Sequence, residues 1–290
     1  MPAAIADVTS RGKRPRTALI LCGGGSRAAV EIGLYRAIVE LGIHVDFIVA
    51  SSSGAVNGAF IASGMDPGAI AEQWKTLRTR NVIGTPWPWI RVLRGAPSLY
   101  SNSRLRRLLQ RRLPVACFED LRIPLTILAT DLESGEAVPL RSGGLIDAIL
   151  ASTALPGLFP PVAWQRRQLV DASLSDNVPI DFAVAEGAER VIGMLCGCRH
   201  PFGNRPRWSS ILAQSFSLAI QAKFQCDLRV YRSQTEVHIL KPCPGPDLGL
   251  LEFDRAWTLI EPAYQHALRE LQRDLAGNSE RRRGNSKEVV

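Results

Sequence analysis

Three consecutive serines, at positions 51–53, separate a short apolar stretch from a run of small residues. Residues 47–50 favour a buried strand, and residues 55–62 are compatible with a helix. A serine in such a strand-to-helix turn is typical of a nucleophile elbow, where a strained backbone holds the hydroxyl at the sheet edge. In the pattern G-x-S-x-G, Ser52 takes the nucleophile position, and Ala50 and Gly54 take the glycine positions. Serines before a helix are also common N-caps, so this stretch alone leaves both interpretations open.

A glycine-rich loop follows the first apolar stretch of the chain. Residues 17–22 predict a buried strand, residues 23–27 read G-G-G-S-R, and residues 28–41 have the apolar spacing of a helix. Together with the strand at 47–50 they predict a β-α-β unit with parallel strands. Because the carboxyl ends of parallel strands meet at one edge of a sheet, the glycine loop is expected beside Ser52.

Two functions are compatible with this loop. The spacing of Gly23, Gly25 and Ala28 satisfies the dinucleotide fingerprint G-x-G-x-x-G/A. That fingerprint also requires a carboxylate after the second strand, where this chain has serines. Alternatively, the N–H groups of Gly23, Gly24 and Gly25 donate to an oxyanion. Arg27 lies in the first helical turn, where the helix dipole disfavours a cation, so it needs a partner such as a loop carbonyl, a carboxylate or a substrate phosphate.

The composition indicates one globular domain. The chain has 290 residues, of which 46% are hydrophobic, and its middle contains no linker or repeat. We expect a flexible segment at 1–16, a folded domain at 17–276 and a disordered basic tail at 277–290. No apolar run approaches the roughly 18 residues that span a bilayer. The N-terminus lacks the hydrophobic core of a signal peptide, so we expect a cytoplasmic protein, with peripheral contact at the inner membrane face as an option.

The six cysteines suit reduced, buried thiols, because most lie inside apolar runs without the pattern of a disulfide framework. Cys196, Cys198 and His200 form a C-x-C-x-H pattern, but the sequence offers no second group of ligands. We therefore predict no metal ion and no cofactor.

Basic residues concentrate in both termini and in the helix predicted at 103–113, and the net charge is +8. That helix turns leucines inward and five arginines outward. Its basic face is either a solvated surface or a contact for anionic lipid headgroups. Residues 85–90 read T-P-W-P-W-I, and the prolines exclude a long helix or a central strand. This stretch is either a lid near the site or a loop packed on the body.

The remaining chain alternates strands and helices. Strands are predicted at 124–130, 137–140, 168–170, 190–195 and 237–240, and helices at 67–80, 145–152, 209–228 and 253–275. Asp171 directly follows a strand, and Asn177 stands two residues before Pro179, which opens another helix. The pattern favours a three-layer α/β/α fold with a central, mostly parallel sheet.

Four segments resemble motifs of one family. In chain order they are GGGSRA at 23–28, ASSSGA at 50–55, ASTALP at 151–156 followed by FPP at 159–161, and VDAS at 170–173 followed by NVP at 177–179. They are similar to the G-G-G-x-R-G loop, the G-x-S-x-G-A elbow, the A-S-x-x-x-P segment and the D-G-[GA] motif with N-x-P of the patatin-like phospholipases, of the short bacterial single-domain kind. Order and spacing fit over roughly residues 17–275.

This resemblance implies a Ser–Asp dyad in which no histidine takes part. Ser52 would attack an acyl ester, and Asp171 would accept its proton and later activate water against the acyl-enzyme. The loop of Gly23, Gly24, Gly25 and Arg27 would hold the oxyanion, and Ala50 and Gly54 would support the elbow. The implied function is a serine acyl hydrolase that cleaves carboxylic esters of lipids, of the phospholipase A or lysophospholipase type. Its partners would be a phospholipid or lysophospholipid and an anionic membrane surface, and not nucleic acid.

Departures from the family pattern keep other functions open. Ala28, Ala50 and Ala172 each add a methyl group where the family has glycine. A catalytically weakened lipid- or partner-binding module is therefore one alternative. A histidine triad is another, because the order Ser52…Asp171…His238 matches α/β-hydrolases. That fold usually carries its elbow after several strands rather than on the second, which favours the dyad.

Overall fold

One sheet organises the protein, which we describe from a computed structural model covering residues 14–84, 88–197, 208–241 and 248–285. The strands are β1 (Thr17–Leu21), β2 (Phe47–Ser51), β3 (Leu125–Asp131), β4 (Ala137–Leu140), β5 (Val162–Trp164), β6 (Arg167–Val170), β7 (Arg190–Met194) and β8 (Glu236–Leu240). Within the described residues these eight strands form a single sheet in the order β5-β6-β3-β2-β1-β7-β8, with β4 also paired to β3.

The centre of the sheet is parallel. Strands β3, β2, β1, β7 and β8 run in one direction, whereas β4 and β6 pair antiparallel with β3, and β5 pairs antiparallel with β6. Every residue of β1, β2 and β3 is buried. A parallel sheet is covered on both faces, which explains why these strands are continuous apolar runs rather than alternating ones.

Helices flank this sheet. They are α1 (Val30–Glu40), α2 (Ser53–Ala62), α3 (Pro67–Lys75), α4 (Thr79–Val82), α5 (Pro88–Leu93), α6 (Ser103–Arg112), α7 (Leu145–Ser152), α8 (Ile180–Ala185), α9 (Trp208–Tyr231) and α10 (Ile260–Asn285). Short 3-10 turns occur at Gly25–Ala29, Phe118–Asp120, Ala172–Leu174 and Phe253–Leu259. The mostly parallel α/β/α fold predicted from the sequence is confirmed. Of the helices described, none is long and apolar enough to cross a membrane.

A long-range contact changes one predicted helix. The helix expected at 67–80 is divided, because α3 ends at Lys75 and α4 begins at Thr79. The carboxylate of Asp254 accepts hydrogen bonds from the Thr79 backbone N–H (3.1 Å) and hydroxyl (2.5 Å). Asp254 itself lies in a 3-10 turn, and the α-helix expected from residue 253 begins only at Ile260. Local propensity could not foresee this paired change.

Helix α10 extends into the segment 277–290, which the sequence predicts to be a disordered basic tail. The helix continues to Asn285, so residues 277–285 are helical, and only residues 286–290 lie outside the described part. A glycine such as Gly277 makes a helix about 1 kcal/mol less stable than alanine would, which weakens the helix but does not end it. The glutamate and arginines that follow are good helix formers.

The aromatic, proline-rich stretch is only partly described, since residues 85–87 lie outside the described part. Trp89 belongs to the short helix α5, in which Trp89 and Leu93 are exposed. Beyond α5, the N–H groups of Leu99 and Tyr100 donate to the carbonyls of Gly157 and Leu158. The stretch therefore leads directly onto the proline-flanked segment that follows α7.

Close packing of α1 against α10 gives a stability test. A Cβ atom at Gly33 would lie 2.4 Å from the Ile260 carbonyl oxygen and 2.5 Å from the Tyr264 nitrogen. Because both contacts are backbone, Gly33→Ala should lower the free energy of unfolding by roughly 1–3 kcal/mol. Urea denaturation measures this change. Gly197→Ala is the control, because Gly197 is exposed with no atom within 4 Å of its Cβ position. Equal stability of the two variants would contradict the packing argument.

Candidate active site

Ser52 stands on a strained turn between β2 and α2. Its φ is 51° and its ψ is −128°, a left-handed conformation that non-glycine residues rarely adopt. Hydrogen bonds hold it in place, because its N–H donates to Ser152 Oγ (2.8 Å) and the Ser51 hydroxyl donates to the Asn177 carbonyl (2.7 Å). Ser52 makes no side-chain cap to α2. Its hydroxyl therefore does not serve as an N-cap of the helix.

That hydroxyl meets Asp171. Ser52 Oγ donates to Asp171 Oδ2 at 2.7 Å, although the residues are 119 positions apart. Asp171 is only 2% exposed, and its other oxygen accepts from the Ser173 N–H at 2.9 Å. Burial raises the pKa of the Asp171 carboxyl, and the hydrogen bonds from Ser173 and Ser52 offset part of that rise. A buried carboxylate with a raised pKa is a stronger base than an ordinary aspartate.

Asp171 reaches the site by an unexpected route. The strand that precedes it, β6, is antiparallel to β3 in a sheet whose centre is parallel. Of β3, only the last two residues pair with β6, with Val170 opposite Thr130 and Leu169 opposite Asp131. The carboxyl end of β6 therefore stops beside the carboxyl ends of β2 and β3. The Asp171 backbone is fixed there by a hydrogen bond from the Thr130 hydroxyl to its carbonyl (2.9 Å).

The glycine loop lies against the elbow. A Cβ at Gly23 would be 2.7 Å from Ser52 Cβ, so only glycine allows this approach. The Gly23 N–H donates to Asn177 Oδ1 (3.0 Å), and the Gly24 N–H donates to Ser53 Oγ (2.9 Å). Within the described residues we find no acceptor for the Gly25 N–H.

Arg27 turns back on the loop. Its backbone N–H donates to the Gly24 carbonyl at 3.1 Å, and its Nε lies 3.5 Å from the same oxygen. Of the partners expected for this cation, the structure therefore gives it a loop carbonyl. Gly54 packs its Cα against β1, since a Cβ there would be 2.5 Å from the Leu21 carbonyl oxygen.

The three alanines that replace family glycines fit without strain. Ala28, Ala50 and Ala172 are each fully buried. Of the non-glycine residues described, only Ser52 and Gln165 have a positive φ. The methyl groups therefore occupy space in the core rather than forcing a left-handed backbone.

Sequence reasoning missed several residues of the site. Ser152 stood in a quoted motif but was given no role, and it accepts the Ser52 N–H. Asn177 joins the glycine loop to the elbow through its side chain and carbonyl. Ser53 and Thr130 also contribute bonds. No spacing rule within one sequence connects these positions, because each contact spans different elements.

The histidines lie elsewhere. His238 sits within β8, which β1 and β7 separate from β2, and its ring nitrogens contact Asp274 (2.6 Å) and Glu236 (2.8 Å). His44 lies beside Asp46, and His200 is outside the described residues. None of the described histidines bonds to Ser52 or Asp171. The geometry does not support the histidine-triad alternative.

The basic face of α6 is largely in use. Arg106 pairs with Asp147, Arg104 donates to the Arg80 carbonyl, and Arg112 donates to the Gln73 carbonyl. Arg107 and Arg111 are exposed. Leu105 and Leu109 are buried and Leu108 is half-buried, as the amphipathic pattern predicted.

Donors for a metal come together behind the glycine loop. In the described part of the chain, Cys22, Glu31 and Cys196 offer ligand atoms within 4.8 Å of one another, and all three are buried. The motif that the sequence suggested is different, and its Cys198 and His200 lie outside the described residues.

A cavity of about 200 Å³ lies between the loop that follows Asp171 and α9. Asp176 lines it with 2% exposure, and Lys223 of α9 lies 3.2 Å from its carboxylate. Lys223 also contacts Asp181 and Asp227. Burial and the neighbouring Asp181 raise the pKa of Asp176 to about 8, although Lys223 offsets part of this rise.

Asp176 should make stability depend on pH. Its pKa is about 8 in the folded protein and about 3.9 in an unfolded chain. The folded state therefore holds a proton that the unfolded state releases, and the free energy of unfolding should fall as pH rises through this window, by at most about 1.4 kcal/mol per pH unit. Asp176→Asn should flatten that decline in urea titrations between pH 5 and 8.5. The exposed Asp120→Asn serves as control, and an unchanged slope in Asp176→Asn would refute the assignment.

Fold and site together define a class of protein: an α/β protein whose elbow serine is bonded directly to a buried aspartate beside a glycine loop. A sequence model of the patatin-like phospholipase family matches residues 19–184, more than half of the chain. The chain belongs to the patatin-like phospholipase family, and the resemblance carried by the four motifs is confirmed.

Relatives in the same family are longer. An uncharacterized NTE family protein of Mycobacterium tuberculosis is 36% identical over 181 residues, which cover 62% of this chain and 49% of that protein. Patatin-like phospholipase domain-containing protein 7 of Rattus norvegicus is 30% identical over 279 residues, covering 86% of this chain and 20% of that protein. The chain thus spans less than half the length of these relatives.

Among solved structures, VipD from Legionella pneumophila has a similar chain trace, with a TM-score of 0.49 and 14% sequence identity. The match covers 89% of this chain and 67% of VipD. The ExoU–SpcU complex of Pseudomonas aeruginosa gives a TM-score of 0.45 with 18% identity, covering 90% of this chain and 52% of the matched chain.

Proposed function

We propose that this chain is a serine acyl hydrolase that cleaves carboxylic esters of lipids through an acyl-enzyme on Ser52. The observation that carries the proposal is the 2.7 Å hydrogen bond from Ser52 Oγ to the buried Asp171 carboxylate. Membership in a phospholipase family supports lipid esters as the substrate class.

In the acylation step, Ser52 Oγ attacks the ester carbonyl carbon while its proton passes to Asp171 Oδ2. The tetrahedral intermediate then collapses, and Asp171 returns the proton to the leaving alcohol. In the second half, Asp171 takes a proton from water, which attacks the acyl-enzyme. Asp171 then returns that proton to Ser52 Oγ as the bond to the acyl carbon breaks and the fatty acid leaves. One carboxyl group serves as base and acid in turn, and burial favours both roles because it brings the pKa closer to working pH.

The oxyanion would form next to the glycine loop and the start of α2. The Gly25 N–H is the donor that we assign first, because the Gly24 N–H is held by Ser53 Oγ in the resting site. Rotation of the Ser53 side chain about its Cα–Cβ bond would move Oγ away and release the Gly24 N–H as a second donor. The N-terminus of α2, which begins at Ser53, adds a favourable dipole for negative charge. Arg27 supports the loop through Gly24 rather than acting as a donor itself.

A phospholipid or lysophospholipid is the substrate that we propose. Leu174 follows Asp171 by three residues and is 44% exposed, and Leu250, whose carbonyl binds the Ser26 N–H, is 37% exposed. Exposed leucines next to the glycine loop and just after Asp171 suit an acyl chain. Arg107 and Arg111 would meet an anionic headgroup or membrane surface, and we propose a cytoplasmic protein with peripheral membrane contact.

Substitution of the dyad tests the proposal. Ser52→Ala removes the nucleophile and Asp171→Asn removes the base, so each should lower fatty acid release from phospholipid vesicles and hydrolysis of a short nitrophenyl ester by roughly 10³-fold or more. His238→Ala should leave most activity, because His238 contacts Asp274 and Glu236 instead. Ser63→Ala, at the other end of α2, is a matched serine control.

Three results would count against the proposal. If His238→Ala were as damaging as Ser52→Ala while the protein stayed folded, the dyad would be wrong. If nitrophenyl esters were cleaved without fatty acid release from vesicles, lipids would be the wrong substrate class. If a fluorophosphonate probe failed to label Ser52, the chain would act as a lipid- or partner-binding module.

The pH dependence tests Asp171 separately. The base must be ionised to accept the Ser52 proton, and burial raises its pKa. The value of kcat/KM should therefore rise with pH through an acid limb that lies above the ordinary aspartate pKa of about 3.9. Nitrophenyl ester hydrolysis from pH 4 to 9 measures this limb, which His238→Ala should leave in place. A flat profile down to pH 4 would show that a different group sets the activity.

A further inference from the structure

Two thiols that the proposed reaction does not use lie directly behind the glycine loop. Cys22 follows β1 and Cys196 follows β7, which are neighbouring parallel strands. Their sulfur atoms are 3.3 Å apart, and the residues are 2% and 4% exposed. Two sulfurs in contact at the ends of adjacent strands are already in position to form a bond.

A buried carboxyl group completes this cluster. Glu31 Oε1 accepts from the Cys22 N–H (2.6 Å) and lies 3.3 Å from Cys196 Sγ, while Oε2 accepts from Asn57 (2.8 Å). The side-chain oxygen of Asn57, Oδ1, in turn accepts from the indole N–H of Trp74 (3.0 Å). Burial raises the pKa of Glu31 well above its usual range, and the hydrogen bond with Cys196 lowers the pKa of the Cys22 thiol.

The same three donors raise the question of a metal ion, which the distances disfavour. Two thiolates on a tetrahedral zinc ion, each bonded at about 2.3 Å, lie roughly 3.8 Å apart. The sulfurs of Cys22 and Cys196 are closer, at 3.3 Å. Both oxygens of Glu31 are also engaged with neighbouring groups. The sulfurs need to approach by a little over 1 Å to reach the disulfide length of about 2.05 Å.

We propose that Cys22 and Cys196 are an oxidation site. A hydroperoxide oxidises the two thiols, and a reversible disulfide forms between them. The Cys22 sulfur attacks one peroxide oxygen, the O–O bond breaks, and the released oxygen leaves as water with the Cys22 proton when the oxidant is hydrogen peroxide. The Cys196 sulfur then attacks the resulting sulfenic acid, the S–O bond breaks, and a second water leaves with the Cys196 proton. The two thiols lose two electrons, and the peroxide gains them.

The disulfide would restrain the glycine loop. Cys22 immediately precedes Gly23, whose N–H bonds to Asn177. Cys196 lies against Gly24, because a Cβ at Gly24 would be 2.3 Å from Cys196 Cβ. Drawing the sulfurs together therefore shifts both sides of the loop relative to Ser52. This consequence, unlike the disulfide itself, rests on the proposed hydrolase function.

Peptide mapping tests the bond. The full chain is treated with hydrogen peroxide, its free thiols are alkylated under denaturing conditions, and the digest is searched by mass spectrometry for a Cys22–Cys196 crosslink that dithiothreitol removes. We expect the crosslink in wild type and in the controls Cys117→Ser and Cys226→Ser, which alter the other described thiols. It should be absent in Cys22→Ser and Cys196→Ser. The same crosslink in Cys198→Ser and Cys243→Ser would show that Cys22 and Cys196 do not need the two remaining cysteines as partners.

Fluorophosphonate labelling of Ser52 tests the coupling. Oxidation should slow labelling roughly tenfold or more, since displacement by about 1 Å can cost about 100-fold. Dithiothreitol should restore the rate, and Cys196→Ser should be insensitive to peroxide. Unchanged labelling of crosslinked protein would overturn the coupling. If the reduced protein is never labelled but the crosslink forms, the hydrolase proposal fails and the oxidation site stands.

Other results would overturn the oxidation site itself. One is alkylation of Cys22 and Cys196 after peroxide treatment that oxidises the exposed Cys226. Another is a crosslink from either residue to Cys198 or Cys243 instead. A third is zinc bound at one ion per chain that both cysteine variants lose and that blocks the crosslink, because the cluster would then be a metal site.

Discussion

The short hydrogen bond between the Ser52 hydroxyl and the Asp171 carboxylate is the constraint on which the rest of the site depends. Removal from water makes a carboxylate a stronger base and hydrogen-bond acceptor, and Asp171 is 2% exposed. Such burial costs free energy unless the charge is compensated. Here Ser52 and Ser173 donate to the two carboxylate oxygens, so the same bonds that make Asp171 tolerable inside the protein also orient it.

Backbone strain at Ser52 has to be held by its surroundings. A positive φ at a non-glycine residue costs of order 1–3 kcal/mol. The Ser52 N–H is tied to Ser152 on α7, and Ser51 is tied to Asn177. Asn177 also receives the Gly23 N–H, so one side chain and its carbonyl link the elbow, the glycine loop and the segment after Asp171. Three distant parts of the sequence thus share one network, which fixes the position of Ser52 relative to the glycine loop.

A second buried network lies behind the first and shares its loop. It connects the ends of β1 and β7 to three helices. Glu31 of α1 bonds to Cys22 and Cys196, and Asn57 of α2 links Glu31 to Trp74 of α3. On the other side, Lys223 joins α9 to Asp176 in the loop that follows Asp171. The sheet edge that carries Ser52 and Asp171 is therefore supported from two directions by networks of buried ionisable groups and thiols.

Apolar runs, glycines and serines by themselves determined the strands β1 and β2, the loop between β1 and α1, and the elbow, because burial and backbone freedom are encoded locally. The motif order also indicated Asp171, but only through resemblance, since no local property of V-D-A-S distinguishes a base from an N-cap. Tertiary structure alone decided that an antiparallel β6 delivers Asp171, that Ser152 and Asn177 hold the elbow, and that Asp254 divides the helix expected at 67–80. It also decided that Cys22 and Cys196 meet, although they are 174 positions apart. Contacts of this kind depend on how strands and helices are ordered in space, and a single sequence read by local patterns does not contain that order.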